Sequence, residues 1–108
     1  MSRGQAPTQI FLNSMNPVRD KSFAYVYVLQ GKKDGKFYTG CTEDLRKRLG
    51  EHTSGKGGYT KNNGPYTLIY YEASRSLDDA YDRERYLKSG TGKRYIRNRL
   101  KRFLSLTG

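Results

Sequence analysis

The chain has 108 residues, of which 34% are hydrophobic and 29% charged, and its formal net charge is +11. This length allows one compact domain and excludes a second lobe, while the lack of an apolar run near the roughly 20 residues of a membrane-spanning helix predicts a soluble protein. The positive charge favours nucleic acid over an anionic membrane surface as the partner, because membrane binding usually requires bulky apolar anchors and the sequence contains no Trp.

The first 22 residues are polar, contain Pro7 and Pro17 and show no sustained hydrophobic period. We expect a flexible lead-in here, followed by a single domain at residues 23–104. The lead-in lacks the apolar core of a secretory signal, and the one cysteine, Cys41, cannot form an internal disulfide. Both features favour a reducing compartment, so we expect a cytoplasmic protein.

A β-hairpin is predicted at the start of the domain. The stretch "FAYVYVLQ" at residues 23–30 is rich in aromatic and β-branched residues, and "GKKDGK" then supplies an Asp-Gly turn signal before "FYTGCT" at 37–42. Gly40 lies inside the second strand, where a glycine often marks the close approach of another backbone or a ligand.

A helix is predicted next, capped by Thr42 and ending near Thr53. Arg48 lies between the apolar positions of this helix and His52 lies one turn beyond it, so both side chains point toward or beside the core. Each also has an ordinary explanation. Arg48 can run along the edge of the core and pair with Asp44, and His52 can be a satisfied, partly buried imidazole.

The stretch "GPYTLIYYEA" predicts a third strand after a Gly-Pro break. Ser76, with Asp79 three residues on, resembles a capping box that opens a second helix, and Gly90 or Gly92 is predicted to end this helix.

A carboxylate falls on the inward stripe of this second helix. The stripe consists of Leu77, Ala80, Tyr81, Glu84 and Leu87. Burying an unpaired carboxylate costs several kcal/mol, so a cationic group must face Glu84 if this register is correct. A divalent metal ion would serve, and the alternative is an ion pair with Lys88, four residues on.

A last helix is predicted at roughly 93–104. It buries Ile96, Leu100, Phe103 and Leu104 on one side and exposes Arg94, Arg97 and Lys101 on another. The element order is then β-β-α-β-α-α, which is typical of an α+β sandwich with three strands.

Two basic segments are candidates for nucleic-acid contact. The glycine-rich stretch "SGKGGYTKNNGP" contains Lys56, Tyr59 and Lys61, which could follow a phosphate backbone or stack on a base, although an ordinary turn is the alternative. Residues 88–102 hold seven Lys or Arg residues and no acid. Given the overall charge, we expect phosphate contacts from Arg94, Arg97 and Lys101 rather than only a solvated helix face.

The spaced set of polar residues resembles a known family. "YVY" at residues 25–27, "YTG" at 38–40, then Arg48, His52 and a distant Glu84 resemble the GIY-YIG nucleases, including the amino-terminal nuclease domain of the bacterial excision-repair incision subunit. The resemblance covers about residues 23–100 and is closest to the small single-domain bacterial members. It implies an α/β/α sandwich around a three-stranded antiparallel sheet and divalent-metal-dependent phosphodiester hydrolysis.

The resemblance also implies residue roles. It assigns Tyr27 and Tyr38 to the motif tyrosines, Arg48 to the helix arginine, His52 to a position that is Tyr or His in relatives, Glu84 to the metal-binding glutamate and Asn98 to a downstream structural asparagine. The sequence departs from the family pattern at three positions: Tyr25 replaces the first Gly, Thr39 stands at a usually aliphatic position, and Cys41 replaces a Lys found in some relatives.

The expected function is therefore a DNA endonuclease with a single Mg²⁺ or Mn²⁺ ion on Glu84. Arg48 would stabilise the charge on the phosphate, and a tyrosine, Tyr27 in preference to Tyr38, would accept the proton of the attacking water with help from His52. Two alternatives stay open: a non-catalytic or partner-dependent nucleic-acid-binding module with the same fold, and a basic structural or ribosome-associated protein.

Overall fold

The structure is a computed structural model that describes residues 23–53 and 65–107, so the expected lead-in at 1–22 lies outside the described residues. The elements in these two ranges are β1 (Ala24–Gly31), β2 (Phe37–Thr42), α1 (Leu45–Thr53), β3 (Tyr66–Ser74), α2 (Leu77–Lys88), α3 (Gly90–Arg99) and α4 (Lys101–Thr107). None of the four described helices has the length and hydropathy needed to span a bilayer.

The three strands form one antiparallel sheet in the order β2-β1-β3, which confirms the predicted α+β class. The central strand β1 is buried on both faces, because successive side chains point to opposite sides of the sheet. Its residues Ala24, Tyr25, Val26, Tyr27, Val28 and Leu29 are each no more than 3% exposed. A central strand therefore carries the strongest strand signal in the sequence.

The predicted Asp-Gly turn closes the hairpin between β1 and β2. Gly35 adopts a φ of 69°, in the left-handed region that glycine enters without strain. The carboxylate of Asp34 accepts a hydrogen bond from the Lys36 amide at 2.9 Å, and the Gly31 amide donates to the Lys36 carbonyl at 2.9 Å. These bonds fix the register that brings Tyr27 opposite Gly40 further along the hairpin.

Helices cover both faces of the sheet, as expected for an α/β/α sandwich. On the first face, which we call the α1 face, the cluster consists of Tyr25, Tyr27, Leu29 and Leu45, with Leu49 packed against it. On the second face, the α2–α3 face, it consists of Ala24, Val26, Val28, Ala80, Leu87 and Ile96. Alternation along β1 thus sends tyrosines to one helix layer and small aliphatic side chains to the other.

Asp44, not the predicted Thr42, caps α1. The Asp44 side chain accepts a hydrogen bond from the Lys47 amide at 3.1 Å, and its carbonyl accepts the amide of Arg48 at 3.0 Å. The Thr42 hydroxyl instead accepts the Asp44 amide at 3.0 Å. Asp44 precedes the first helical residue directly, which is the position where a side-chain oxygen can reach an unpaired amide of the first turn.

Ser76 caps α2 as predicted, since its hydroxyl accepts the Asp79 amide at 3.3 Å. The end of α2 differs from the prediction, because neither Gly90 nor Gly92 ends it. Ser89 both ends α2 and caps α3: its hydroxyl donates to the Tyr86 carbonyl at 2.6 Å and accepts the Gly92 amide at 3.1 Å. A Cβ at Gly92 would overlap the backbone at the end of α2, so glycine is needed for this close approach.

The last predicted helix is divided into two. The backbone at Leu100 leaves the helical region, with φ −108° and ψ 22°, so α3 ends at Arg99 and α4 begins at Lys101. Of the residues predicted to be buried here, Ile96 is buried, Leu100 and Leu104 are partly buried, and Phe103 is 39% exposed. The sequence pattern also predicts that Tyr81 faces the core, but its side chain is 45% exposed. The buried residues of α2 are Ala80 and Leu87.

Candidate active site

The phenol of Tyr27 lies directly over Gly40. Tyr27 is 3% exposed on the α1 face, and the two residues are partners in the register of β1 and β2. A Cβ at position 40 would overlap the hydroxyl oxygen of Tyr27 and crowd its ring. The close approach predicted from the strand glycine is therefore made by a tyrosine side chain, and residue 40 has to be glycine for Tyr27 to keep this position.

His52 of α1 contacts the same hydroxyl. Its Nε2 lies 2.9 Å from the oxygen of Tyr27, and the two rings meet edge to face at a centroid distance of 5.7 Å. His52 is only 7% exposed, and this burial, together with the positive charge of Arg48, lowers the pKa of its imidazole, while Glu51 opposes the shift. The ring is thus neutral near pH 7 and able to accept a proton.

Arg48 completes the group from one turn earlier on α1. Its Nε donates to the Tyr27 oxygen at 3.4 Å, and its Nη1 donates to Glu51 Oε1 at 2.8 Å. Hydrogen bonds to Glu51 and Tyr27 raise the pKa of Arg48 further above its usual range. Because a guanidinium can only donate, the phenol oxygen accepts from Arg48. The tautomer of His52 decides whether Nε2 accepts the phenol proton or donates its own proton to the phenol oxygen.

Glu51 was not among the predicted site residues. Its carboxylate pairs with Arg48 across an i,i+3 spacing, and the two side chains are 32% and 34% exposed. The spacing is visible in the sequence and could have predicted the pair. The Asp44 carboxylate, considered as a partner for Arg48 from the sequence, instead accepts the Lys47 amide at the start of the helix.

Tyr38 lies on the α1 face as well, but nearer the hairpin turn, opposite Leu29 in the register. Its hydroxyl donates to Asp34 Oδ2 at 2.6 Å, and this bond is the main cause of the lowered pKa of Asp34. Its ring packs edge to face on Tyr66 with centroids 5.1 Å apart. The hydroxyl of Tyr38 thus stabilises the turn, whereas that of Tyr27 contacts the predicted arginine and histidine.

Glu84 approaches from the other side of β2. It lies on α2, which packs on the α2–α3 face, and its side chain is 18% exposed. Lys88 Nζ lies 3.1 Å from Glu84 Oε2, so the ion pair considered as an alternative is present. Burial raises the pKa of Cys41 to about 11, with further contributions from Glu84 and then Glu43. Glu84 lies on the helix whose residues Ala80 and Leu87 belong to the cluster that Cys41 of β2 packs against.

Three of the five predicted catalytic residues, Tyr27, Arg48 and His52, are in direct contact through the Tyr27 hydroxyl. Glu84 is not part of this group, because it lies on α2, which packs on the opposite face of the sheet. A cleft of about 340 Å³ opens at the edge of β2. Its lining consists of Thr42, Glu43, Asp44, Lys47, Arg48 and Glu51 and does not include Glu84.

The donor set fits a hard divalent ion held largely by its substrate. Mg²⁺ commonly takes one or two protein carboxylates and completes its octahedron with waters and phosphate oxygens. Glu84 supplies one such carboxylate near the surface, and its partner Lys88 is 55% exposed and can move away. We find no three His, Cys, Asp or Glu side chains close enough to hold one metal ion within the described ranges 23–53 and 65–107.

The predicted nucleic-acid-binding residues fall into two groups. Arg94, Arg97 and Lys101 are exposed on α3 and α4, as is Asn98. Lys56, Tyr59 and Lys61 lie outside the described residues.

A second cluster of polar residues connects β3 to the helices. Arg83 of α2 donates from Nε to both carboxylate oxygens of Glu72 at 3.1 Å and from Nη2 to Oε2 at 2.9 Å. Its guanidinium lies 5.1 Å from the ring centroid of Tyr86 and 5.0 Å from that of Tyr95. Tyr70 donates to the same carboxylate at 2.8 Å, and burial followed by this bond raises the pKa of Tyr70 to about 12. These contacts fix the rotation of α2.

Comparisons with known proteins identify the family of this chain. The family described as the GIY-YIG catalytic domain matches residues 23–102. A UPF0213 protein of Clostridium perfringens is 43% identical over 68 residues, which cover 62% of this chain and 72% of that protein. A UPF0213 protein of Streptococcus agalactiae is 44% identical over 69 residues, which cover 63% and 77% of the two chains.

The solution NMR structure of a UPF0213 protein from Bacillus halodurans is 37% identical, covers 80% of this chain and 86% of that chain, and has a TM-score of 0.41. The match to the catalytic domain spans most of the sequence and includes every residue of the candidate site. The chain therefore belongs to the GIY-YIG family, whose members are generally endonucleases, and is similar to its small UPF0213 proteins.

Proposed function

We propose that the chain is a divalent-metal-dependent endonuclease that hydrolyses phosphodiester bonds in DNA, through a catalytic domain at residues 23–104. Its cellular role would be DNA repair or the processing of structured DNA in the cytoplasm. The observation that carries the proposal is the hydroxyl of Tyr27, held over Gly40 between His52 Nε2 and Arg48 Nε. A phenylalanine would fill the same core position, so packing alone does not require this hydroxyl.

The position of the Tyr27 hydroxyl between His52 and Arg48 supports a proton relay. A free phenol has a pKa near 10 and is a poor base at neutral pH. The oxygen of Tyr27 can nevertheless accept a proton from the attacking water if its own proton passes to His52 at the same time. His52 Nε2, 2.9 Å away, would accept that proton in the tautomer whose ring proton is on Nδ1.

Arg48 would stabilise the negative charge that develops on the phosphate. Its planar guanidinium can donate hydrogen bonds to two phosphate oxygens at once. The hydrogen bond from Arg48 Nε to the Tyr27 oxygen already orients the side chain before the substrate binds. Glu51 occupies Nη1 in the structure, so a substrate phosphate would replace this carboxylate.

Glu84 would hold a Mg²⁺ or Mn²⁺ ion, with waters and phosphate oxygens as the other ligands. When bound, the ion would polarise the phosphate and stabilise the departing oxygen. Lys88 would release the carboxylate at that point and become free to contact the phosphate backbone. Tyr38 is proposed to support this arrangement through the hairpin, where its hydroxyl is bonded to Asp34.

The DNA backbone would be held by cations outside the catalytic group. Arg94, Arg97 and Lys101 are exposed on the last two helices. Lys56, Tyr59 and Lys61 are proposed to contribute from the segment between α1 and β3. Each phosphate contact would add to the salt dependence of binding, because it releases counterions from the DNA.

The test is a nicking assay on supercoiled and branched DNA with Mg²⁺ or Mn²⁺. Glu84→Gln and Arg48→Ala are each expected to reduce cleavage at least 100-fold. Asp78→Asn is the matched control, since it removes an exposed carboxylate from the same helix. Equal cleavage by the wild type and Glu84→Gln would contradict the metal assignment.

A second candidate function is a nucleic-acid-binding module without hydrolytic activity. The internal ion pairs of Arg48 with Glu51 and of Glu84 with Lys88 favour it, because both groups needed for catalysis are neutralised. It predicts salt-sensitive binding with no metal-dependent product. Glu84→Gln would then leave the affinity unchanged or improve it, since a negative charge is removed.

A further inference from the structure

A second cleft opens at the hairpin end of the sheet. It has a volume of about 640 Å³, within the range of small-molecule sites, and its lining includes Lys32, Phe37, Thr67, Arg97, Phe103 and Leu104. Phe37 belongs to the α2–α3 face, whereas Tyr27, Arg48 and His52 are grouped on the α1 face. The cleft is thus separate from the candidate active site.

The lining combines aromatic rings with positive charge. The guanidinium of Arg97 lies 5.4 Å from the ring centroid of Phe37, and Phe103 is 39% exposed at the same cleft. Lys32 supplies a second cation, and the described lining contains no Asp or Glu. The cleft at the edge of β2 is different, since three of its six lining residues are acidic.

We propose that this second cleft binds an unpaired nucleotide of the DNA substrate, with the base stacked on Phe103 and its phosphate on Lys32 and Arg97. A free phosphate would need the two cations but not the aromatic rings, and an apolar peptide or acyl chain would need the rings but not the cations. A nucleotide uses both, in the pattern of aromatic platforms and positive grooves that bind single strands. The base of an intact duplex is already stacked and cannot enter.

This inference rests on the proposed nuclease function and deepens it by naming the substrate class. Phe37 and Cys41 are four residues apart on β2, or about 13 Å at the rise of a strand. That distance equals about four base steps of DNA. A nucleotide in the cleft would therefore place the strand within a few nucleotides of the Cys41 end of β2, which packs against the cluster of the helix that carries Glu84. DNA with an unpaired segment beside the cut is the substrate this geometry favours.

The experiment uses the full chain and a single-stranded oligonucleotide containing one 2-aminopurine, whose fluorescence falls when it stacks. EDTA is present, so binding is measured without hydrolysis. Phe103→Leu keeps an apolar side chain but removes the ring, and is expected to abolish the quenching and weaken binding roughly 5- to 150-fold. Tyr81→Leu is the matched control, because Tyr81 is 45% exposed and does not line the cleft. We expect it to leave binding unchanged.

Binding of the same strand in a perfect duplex should change less than about twofold with Phe103→Leu. Lys32→Gln, at an exposed turn residue, should weaken single-strand binding and reduce the salt slope by roughly one charge. Equal effects of Phe103→Leu and Tyr81→Leu would overturn the proposal. The proposal would also be overturned if Phe103→Leu abolished binding to anionic phospholipid vesicles and left oligonucleotide binding unchanged. Quenching by a wild-type protein that cleaves no DNA would support the cleft while contradicting the nuclease function.

Discussion

The two faces of the sheet differ in the chemistry of their buried side chains. The α2–α3 face packs small aliphatic residues of β1 against Ala80, Leu87 and Ile96, each no more than 1% exposed. The α1 face buries a phenol and an imidazole and holds an arginine beside them. Buried polar groups cost stability unless they are hydrogen-bonded, and here the Tyr27 hydroxyl contacts both His52 and Arg48. The central strand β1 therefore contributes aliphatic side chains to one face, and to the other the phenol that contacts His52 and Arg48.

The sharpest way to break this comparison is Gly40→Ala on the α1 face. The new Cβ would overlap the Tyr27 hydroxyl, so the phenol must leave His52 and Arg48. We expect cleavage to fall by a factor of about 100 to 10,000, the usual contribution of general base catalysis. A nicking assay with the folded variant measures this loss.

Gly50→Ala is the matched substitution. Gly50 is exposed within α1 and an added Cβ meets nothing within 4 Å. Alanine should stabilise the helix by about 1 kcal/mol and leave cleavage unchanged. Equal activity of the two variants would show that the Tyr27 hydroxyl has no part in catalysis.

The opposite result is expected from Leu87→Ala on the α2–α3 face. Leu87 is 1% exposed in the aliphatic cluster, so truncation should lower the free energy of unfolding by about 2–5 kcal/mol. Cleavage per folded molecule should change little. Urea unfolding measures the stability, and Leu106→Ala, at a position 85% exposed, should change it by less than about 0.5 kcal/mol. A comparable loss in both variants would contradict the division between the faces.

Glu51→Gln should act on the α1 face alone and in the opposite direction to the other changes there. It removes the carboxylate that occupies Arg48 Nη1, so DNA affinity in EDTA should rise by up to about fivefold, the value of a half-exposed ion pair. Asp82→Asn is the control, since it removes an exposed carboxylate from a similar i,i+3 pair with Arg85. If both variants gain the same DNA affinity, the change comes from the overall charge and not from release of Arg48.

The smallest expected effect is a pH dependence of stability from His52. Its pKa is lowered in the folded protein from the ordinary value of 6.5, mainly by burial. As the pH falls below 6.5, the unfolded chain binds the proton before the folded one does, so the free energy of unfolding decreases. His52 is the only histidine in the sequence, and His52→Gln should remove this slope. The melting temperatures of the wild type and of His52→Gln are measured between about pH 7.5 and 5.5. If both change with pH in the same way, the pKa of His52 is not lowered by burial.

Much of the fold could be predicted because its signals are local. The strand β1, the Asp-Gly turn with its positive φ at Gly35, and the cap at Ser76 each depend on neighbouring residues. The meeting of Tyr27, Arg48 and His52 came from the spaced pattern of a family and the period of one helix. Neither strand spacing nor helix period alone shows that the hydroxyl lies over Gly40.

Other features could not be predicted, for two physical reasons. Where neighbouring residues offer similar chemistry, the sequence does not choose: Thr42 and Asp44 can both cap a helix, and no Gly or Pro marks the break at Leu100. Contacts between distant elements also have no local signal, as with the carboxylate of Glu72 and the guanidinium of Arg83.

Ser89 joins the end of α2 to the start of α3. One hydroxyl is bonded to the end of the helix that carries Glu84 and to the start of the helix that carries Arg94 and Arg97. The backbones also meet closely at Gly92, where a Cβ would overlap Tyr86 and Leu87 of α2. Glu84 and the arginines of α3 therefore lie on two helices joined by a hydrogen-bonded bend, so under the proposed function a shift of the arginines on DNA binding would also displace the helix of Glu84.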